Sequence, residues 1–238
     1  AHDEIGLASG DHVDRPLGVV GLADHLEVVG QFAAQAPAQQ LVVVGEHGPD
    51  RHEPRSWHLG WAATVPRVPD RPHPPMLGSE REQLIGFVEL QRATIELKLA
   101  GLTKEQLLRP HAPSDMTLLG MVRHLAVVED SWFTDLFAGE PFPEPWASVD
   151  WKADRDWEWH TAADDEVEAS MALWHDAVAR SRAVTERHAL DDVGVRSSHH
   201  GDFSLRWLLL HMVEEYGRHA GHADLLREAI DGAIGEYP

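Results

Sequence analysis

From Met76 onward the chain is predicted to fold as an all-α domain, a four-helix bundle with a long connection between its second and third helices. Three observations predict this. Apolar residues recur at helical spacing in four separate stretches. Each stretch is bounded by capping or breaking residues. Residues 1–75, by contrast, contain no Met and no Lys and are interrupted by Pro and Gly, as in HGPDRHEPRSW and VPRVPDRPHPPM.

The first helix is expected over Ser79–Ala100. Leu84, Phe87, Val88, Ile95 and Leu99 give it an apolar stripe, Ser79 and Glu82 form a capping box, and Gly101 ends it. A short helical piece, Thr103–Leu108, precedes Pro110. The second helix is expected over Thr117–Phe137, after the capping pair Ser114 and Asp115, and is stopped by Gly139 and the prolines at 141, 143 and 145. A connection over 138–163 follows, rich in acid and in tryptophan: Trp146, Trp151, Trp157 and Trp159. It is long for a bundle and can cross it, so the second and third helices need not be antiparallel. The tryptophans either wall a substrate cleft or anchor the connection. The third helix is expected over Asp164–His188 and the fourth over Ser204–Ile230, with Gly232 beyond its end.

Residues 1–75 are expected to be an extension, poorly structured or not part of the native protein, with the functional chain beginning at Met76. The alternative is a small subdomain built on a helix around Leu22–Ala34 and a strand at Leu41–Val44; these pieces are too few to enclose a core.

Composition narrows the function. Formal net charge is −20, from 40 acidic and 20 basic residues, with no basic cluster, which speaks against binding nucleic acid or anionic lipid. No apolar run has the length of a membrane span, and the first residues lack the pattern of a signal peptide, so a cytoplasmic soluble protein is expected. There is no cysteine. Disulfides, thiolate metal sites and a cysteine nucleophile are therefore excluded, and any metal must be held by His, Asp or Glu. A Ser-His-Asp order, a phosphate loop and a dinucleotide fingerprint are also missing.

The fourth helix carries the densest chemistry. His211, Glu215 and His219 are spaced i, i+4, i+8, and His222 follows Glu215 by seven. At ~100° per residue, neighbours in the first set differ by about 40° and His222 lies about 20° from Glu215. Trp207, Leu208, Leu225 and Leu226 lie on or beside the stripe, so it is expected to face inward. A buried carboxylate among imidazoles must be paired, protonated or metal-bound. Two ligands at i, i+4 commonly grip one edge of a metal, but a hydrogen-bonded polar seam has the same pattern. Spacing does not choose among Glu215/His219, His211/Glu215 and Glu215/His222. On the second helix His124 shares its face with Thr117, Gly120, Val127, Val128 and Ser131, and so is expected to point into the bundle as a candidate third ligand. Three protein ligands leave the open position of a catalytic site.

The stretches LLGMVRHLAVVEDSWF, SLRWLLLHMVEEYGRHAGHADLLREAIDG and EREQLIGFVELQRATIELKLAGLTKEQLLRP together resemble the DinB-like metalloenzyme superfamily. The likeness is to its branch of mini-circle proteins, related to mycothiol-dependent maleylpyruvate isomerases, and covers about residues 77–232. The resemblance implies that the metal ligands are His124, Glu215 and His219, and that His211 and His222 orient ligands or substrate. A donor set of neutral imidazoles and a carboxylate with an open position suits zinc, and also nickel, iron or manganese. The resemblance further implies a low-molecular-weight thiol cosubstrate, mycothiol or bacillithiol, activated for S-transfer or isomerisation. A metal-dependent hydrolase using activated water, and a non-catalytic bundle with a structural metal, are the alternatives. Arg123 and Arg218 sit beside ligands in sequence and either meet a substrate carboxylate or face solvent. Bundles of this type form dimers, so a homodimer is compatible, with no interface legible.

Overall fold

The computed structural model describes residues 71–235. The helix and strand expected at 22–34 and 41–44, with most of the expected extension, lie outside the described residues. Helix α1, Glu80–Leu99, opens with the anticipated capping box: Ser79 N–H donates to the Glu82 carboxylate (2.8 Å), and Glu82 N–H donates to the Ser79 hydroxyl (3.3 Å). Val88, Ile95 and Leu99 are buried, but Phe87 is exposed. Helix α2, Lys104–Leu107, is capped in the same way by Thr103 and Gln106.

Helix α3, Leu118–Glu129, is buried at every position. Its cap is Thr117, whose hydroxyl accepts from Gly120 N–H at 3.0 Å, and not the expected Ser114-Asp115 pair. The Ser114 hydroxyl accepts from Met116 N–H (3.1 Å) and shapes the turn before the helix. Beyond Glu129 the expected single α-helix continues as a π-helix, Asp130–Phe137. In a straight α-helix position 132 lies about 80° from position 124. The wider turns of the π segment lessen that angle, and Trp132 comes round to the side where His124 lies.

The connection is less irregular than the prolines suggest. It holds a 3-10 turn, Trp146–Ser148, and a short helix α4, Trp157–His160. Helix α5, Val167–Arg187, starts a few residues later than expected, after a turn tied by Asp164 N–H to Thr161 O at 3.1 Å. Helix α6, Leu205–Asp231, ends at Gly232, whose left-handed φ of 80° closes the last turn.

Side-chain pairs fix the helix directions. Glu80 meets Arg206 and Lys98 meets Asp224, so α1 and α6 run parallel. Arg123 meets Asp165 ahead of α5, and Asp130 meets Arg180 well along it, so α3 and α5 are also parallel. The connection over 138–166 therefore does cross the bundle. Against α6, α3 is antiparallel: His124 lies by Glu215 and Trp132 by His211. Packing is densest along the α1–α6 and α3–α5 pairs; α3 and α6 meet more sparsely.

A buried polar layer ties the four long helices together. Arg92 on α1 forms a two-point bond with Glu129 on α3 (2.8 Å each), and Glu129 accepts from the Tyr216 hydroxyl of α6 (2.7 Å). That hydroxyl accepts from Trp174 Nε1 of α5 at 2.8 Å. Asp130 accepts from Arg180, from Trp146 Nε1 (2.9 Å) and from Thr134. Charges this deep persist only when paired and hydrogen-bonded. No helix among the described residues is long and apolar enough to cross a membrane.

Candidate metal centre

On α6 the buried face carries Leu208, Met212, Glu215, Tyr216, His219, Ala223 and Leu226. Glu215 and His219, one turn apart, project toward α3, where His124 meets them. The three offer one donor atom each, all within 4.8 Å of one another, and all three residues are buried. His124 Nε2 is 3.6 Å from Glu215 Oε1, and His219 Nε2 is 3.2 Å from the same oxygen. Structure thus brings together one of the pairs that spacing left open, Glu215 and His219, with His124 as the third donor.

His211 and His222 flank this group without joining it. His211 stacks on Trp207, with ring centroids 5.1 Å apart, and its Nδ1 faces Glu214 at 3.7 Å. His222 packs edge-on against the His219 ring at 5.6 Å. The inward stripe is also narrower than expected: Trp207 is 39% exposed and Leu225 61%. Both lie at the margins of the stripe, where α6 turns away from α3 toward solvent.

Sequence reasoning named the connection's tryptophans but did not single out Glu158. The Glu158 carboxylate on α4 bonds His124 Nδ1 at 2.9 Å. Trp159 lies over His124 (5.2 Å between centroids) and near His219 (6.5 Å). Helix α3 makes room for it at Gly120, where a Cβ would stand 2.6 Å from the indole. The other three tryptophans act mainly as anchors: Trp146 is buried, Trp151 donates to its carbonyl, and Trp157 packs against both Trp146 and Arg123. The anchoring reading of the Trp-rich stretch therefore holds for these three, while Trp159 lies against the His124 and His219 rings.

Arg123 faces neither solvent nor the donor group. It is 1% exposed and donates to the Glu158 carbonyl (3.0 Å), the Thr161 hydroxyl (3.0 Å) and the Asp165 carboxylate. It fixes the backbone that carries Glu158 and Trp159. The signal was present in the sequence, since an arginine inside an apolar helix needs buried acceptors. Arg218 is exposed and pairs with Glu214.

Electrostatics follow from this packing. Burial works against a charged His124, but the hydrogen bond to Glu158 and the neighbouring Glu215 carboxylate outweigh it and raise its pKa to about 9. Burial would raise Glu215, yet His124 beside it and the hydrogen bond with His219 hold it well below the usual carboxylate range. His219 and His211 are both shifted down, chiefly by burial. In the metal-free group the proton on His124 balances the carboxylates on either side of it, Glu158 and Glu215. His219 Nδ1 and Glu158 Oε2 are buried without hydrogen-bond partners. Such a pocket fits a cation.

Fold and site define a helical-bundle protein with a buried His-Glu-His group able to hold a metal ion. The comparison with protein families makes this particular: the mycothiol-S-transferase family model matches residues 83–232, and the chain belongs to that family, within the DinB-like superfamily. No curated protein matches the chain.

Proposed function

We propose that this protein is a metal-dependent mycothiol S-transferase, in which His124, Glu215 and His219 hold a divalent metal. The observation that carries the reading is the buried three-donor group, in a chain of this family that has no cysteine of its own. Two imidazoles and a carboxylate suit zinc first, and nickel, iron or manganese also. The chemistry such a metal supplies is to lower the pKa of a bound thiol, so that the sulfur is present as thiolate at neutral pH.

The chain's own residues supply the rest. Glu158 fixes the Nδ1 proton of His124 and so leaves Nε2 as the donor. Trp159 covers His124 and His219 from the side of the connection and keeps water from that face. His211 and His222 lie about one turn to either side of the donors along α6, where they orient the thiol or its acceptor.

The test is elemental analysis and turnover of the pure protein and of His124→Ala, Glu215→Ala and His219→Ala. Each change is expected to remove the metal, and with it zinc-dependent consumption of mycothiol by an alkylating agent. Full metal occupancy in any one variant removes that residue from the set. Ester or amide cleavage that needs metal but no thiol would overturn thiol transfer in favour of activated water.

A further inference from the structure

One cluster is left over from the proposed metal centre. Trp132 from the π segment, Phe203, and Trp207 and His211 of α6 form a continuous aromatic group. Trp132 lies 5.2 Å from Phe203, 5.5 Å from Trp207 and 4.6 Å from His211, measured between ring centroids. Clusters of this kind are ordinarily part of a core. Here two observations point elsewhere.

First, the cluster holds unanswered polar atoms. Trp132 is 3% exposed, and its Nε1 is buried with no hydrogen-bond partner. The His211 Nε2 is likewise buried without one, on a ring in direct contact with Trp132. Leaving a buried polar atom unpaired is costly, so native cores rarely keep two such atoms side by side. Second, the cluster borders open space. Phe203 and Trp207 line a depression of about 290 Å³ under the 198–204 loop. Neither lysine nor arginine lines it, and its one carboxylate, Asp202, accepts from the Ser197 hydroxyl (2.5 Å).

The position relates the cluster to the proposed metal centre. His211 precedes Glu215 by one helical turn, which is about 6 Å along the axis. A group bound against Trp132 and His211 therefore lies next to the place where a thiol on the metal would react.

We infer that Trp132, Trp207 and His211 form the subsite for the second substrate of thiol transfer: an uncharged, planar electrophile bearing an oxygen that accepts a hydrogen bond. The indole faces select planarity. The depression carries the Asp202 carboxylate and no lysine or arginine, which disfavours anions. The Trp132 N–H, with His211 beside it, selects an acceptor oxygen. This rests on the thiol-transfer reading for the word electrophile, but not for the binding itself.

The experiment therefore separates the two. Binding of 1,4-naphthoquinone and of naphthalene is measured by ligand-detected NMR without thiol, which is clean because the protein has no cysteine to be modified. The unaltered protein is expected to bind the quinone more tightly. Trp132→Phe is expected to weaken quinone binding about fivefold, the loss of one neutral hydrogen bond, and to change naphthalene binding less than twofold. Trp207→Ala, at a half-exposed position that leaves the core intact, is expected to weaken both. Equal affinities of the two probes for the unaltered protein, or no change in either variant, would overturn the subsite. If Trp132→Phe does not fold, Trp207→Ala still decides. Mycothiol consumption with iodoacetamide is measured alongside. Consumption without quinone binding sinks the subsite alone, whereas quinone binding without any thiol consumption sinks thiol transfer alone.

Discussion

A histidine that binds metal through one nitrogen needs its other nitrogen held, and at His124, a proposed ligand, Glu158 is placed to hold it. Glu158→Gln keeps a hydrogen-bond acceptor but removes the charge. It is expected to weaken zinc binding about 10–100-fold while the protein remains folded, read by competition with a chelating indicator. Unchanged affinity would reduce Glu158 to a loop anchor. A pH dependence follows from the same residue. His124 without metal titrates near pH 9, above its ordinary value, while Glu215 and His219 are shifted down, which leaves the carboxylate ionised and the imidazole neutral at pH 7. Zinc must therefore displace about one proton, and its affinity is expected to rise tenfold per pH unit between about 7 and 8. A flat profile over that interval would show His124 already neutral. In the metal-free protein the sign is opposite for stability. A raised folded pKa stabilises fully below the unfolded value and the gain is lost as pH rises through about 9. Of these groups His124, Glu215 and His219 were legible in the sequence, because helical spacing and an apolar face are local properties. The choice among the alternatives came from the resemblance, since four donors on one stripe are equivalent until a second helix faces them. Glu158 was not legible, because its partner lies 34 residues away in sequence.

Among the elements, the connection between α3 and α5 matters most to the site. It carries Glu158 and Trp159, and Arg123 holds it at three points. Arg123→Met preserves a long side chain but leaves those acceptors unpaired. It is expected to open residues 138–166 to limited proteolysis and to lower zinc affinity without touching a ligand. A protease pattern identical to that of the unaltered protein would show that the short helices hold the connection by themselves. Sequence reading placed all four long helices within a few residues, because caps such as Ser79 and Gly232 act locally. It missed the π segment, and there the cue lay in Glu129-Asp130, two acids inside an apolar run. Burying both, one against Arg92 and Tyr216 and the other against Arg180 and Trp146, goes with the widened helix.

At the scale of the whole molecule, the buried polar layer and the donor group occupy the same stretch of the bundle: Tyr216 follows Glu215 directly. That stretch joins α1, α3, α5 and α6 by hydrogen bonds rather than by apolar contact alone, and these bonds are directional. The crossing connection was anticipated from its length. The direction of each helix was not, because only long-range pairs such as Glu80 with Arg206 reveal it.

The parallel run of α1 beside α6 has a mechanical consequence. Handles attached at Ser79 and Gly232 sit at opposite ends of this helix pair, which is about 40 Å long for 27 residues. Tension between them shears the two helices along their common axis and loads the whole seam at once. Tension between Ser79 and Ser204, at the same end, peels them apart a turn at a time. In an optical trap the first geometry is expected to rupture at clearly higher force than the second, and equal forces would mean that the α1–α6 seam is not what holds the bundle together under load.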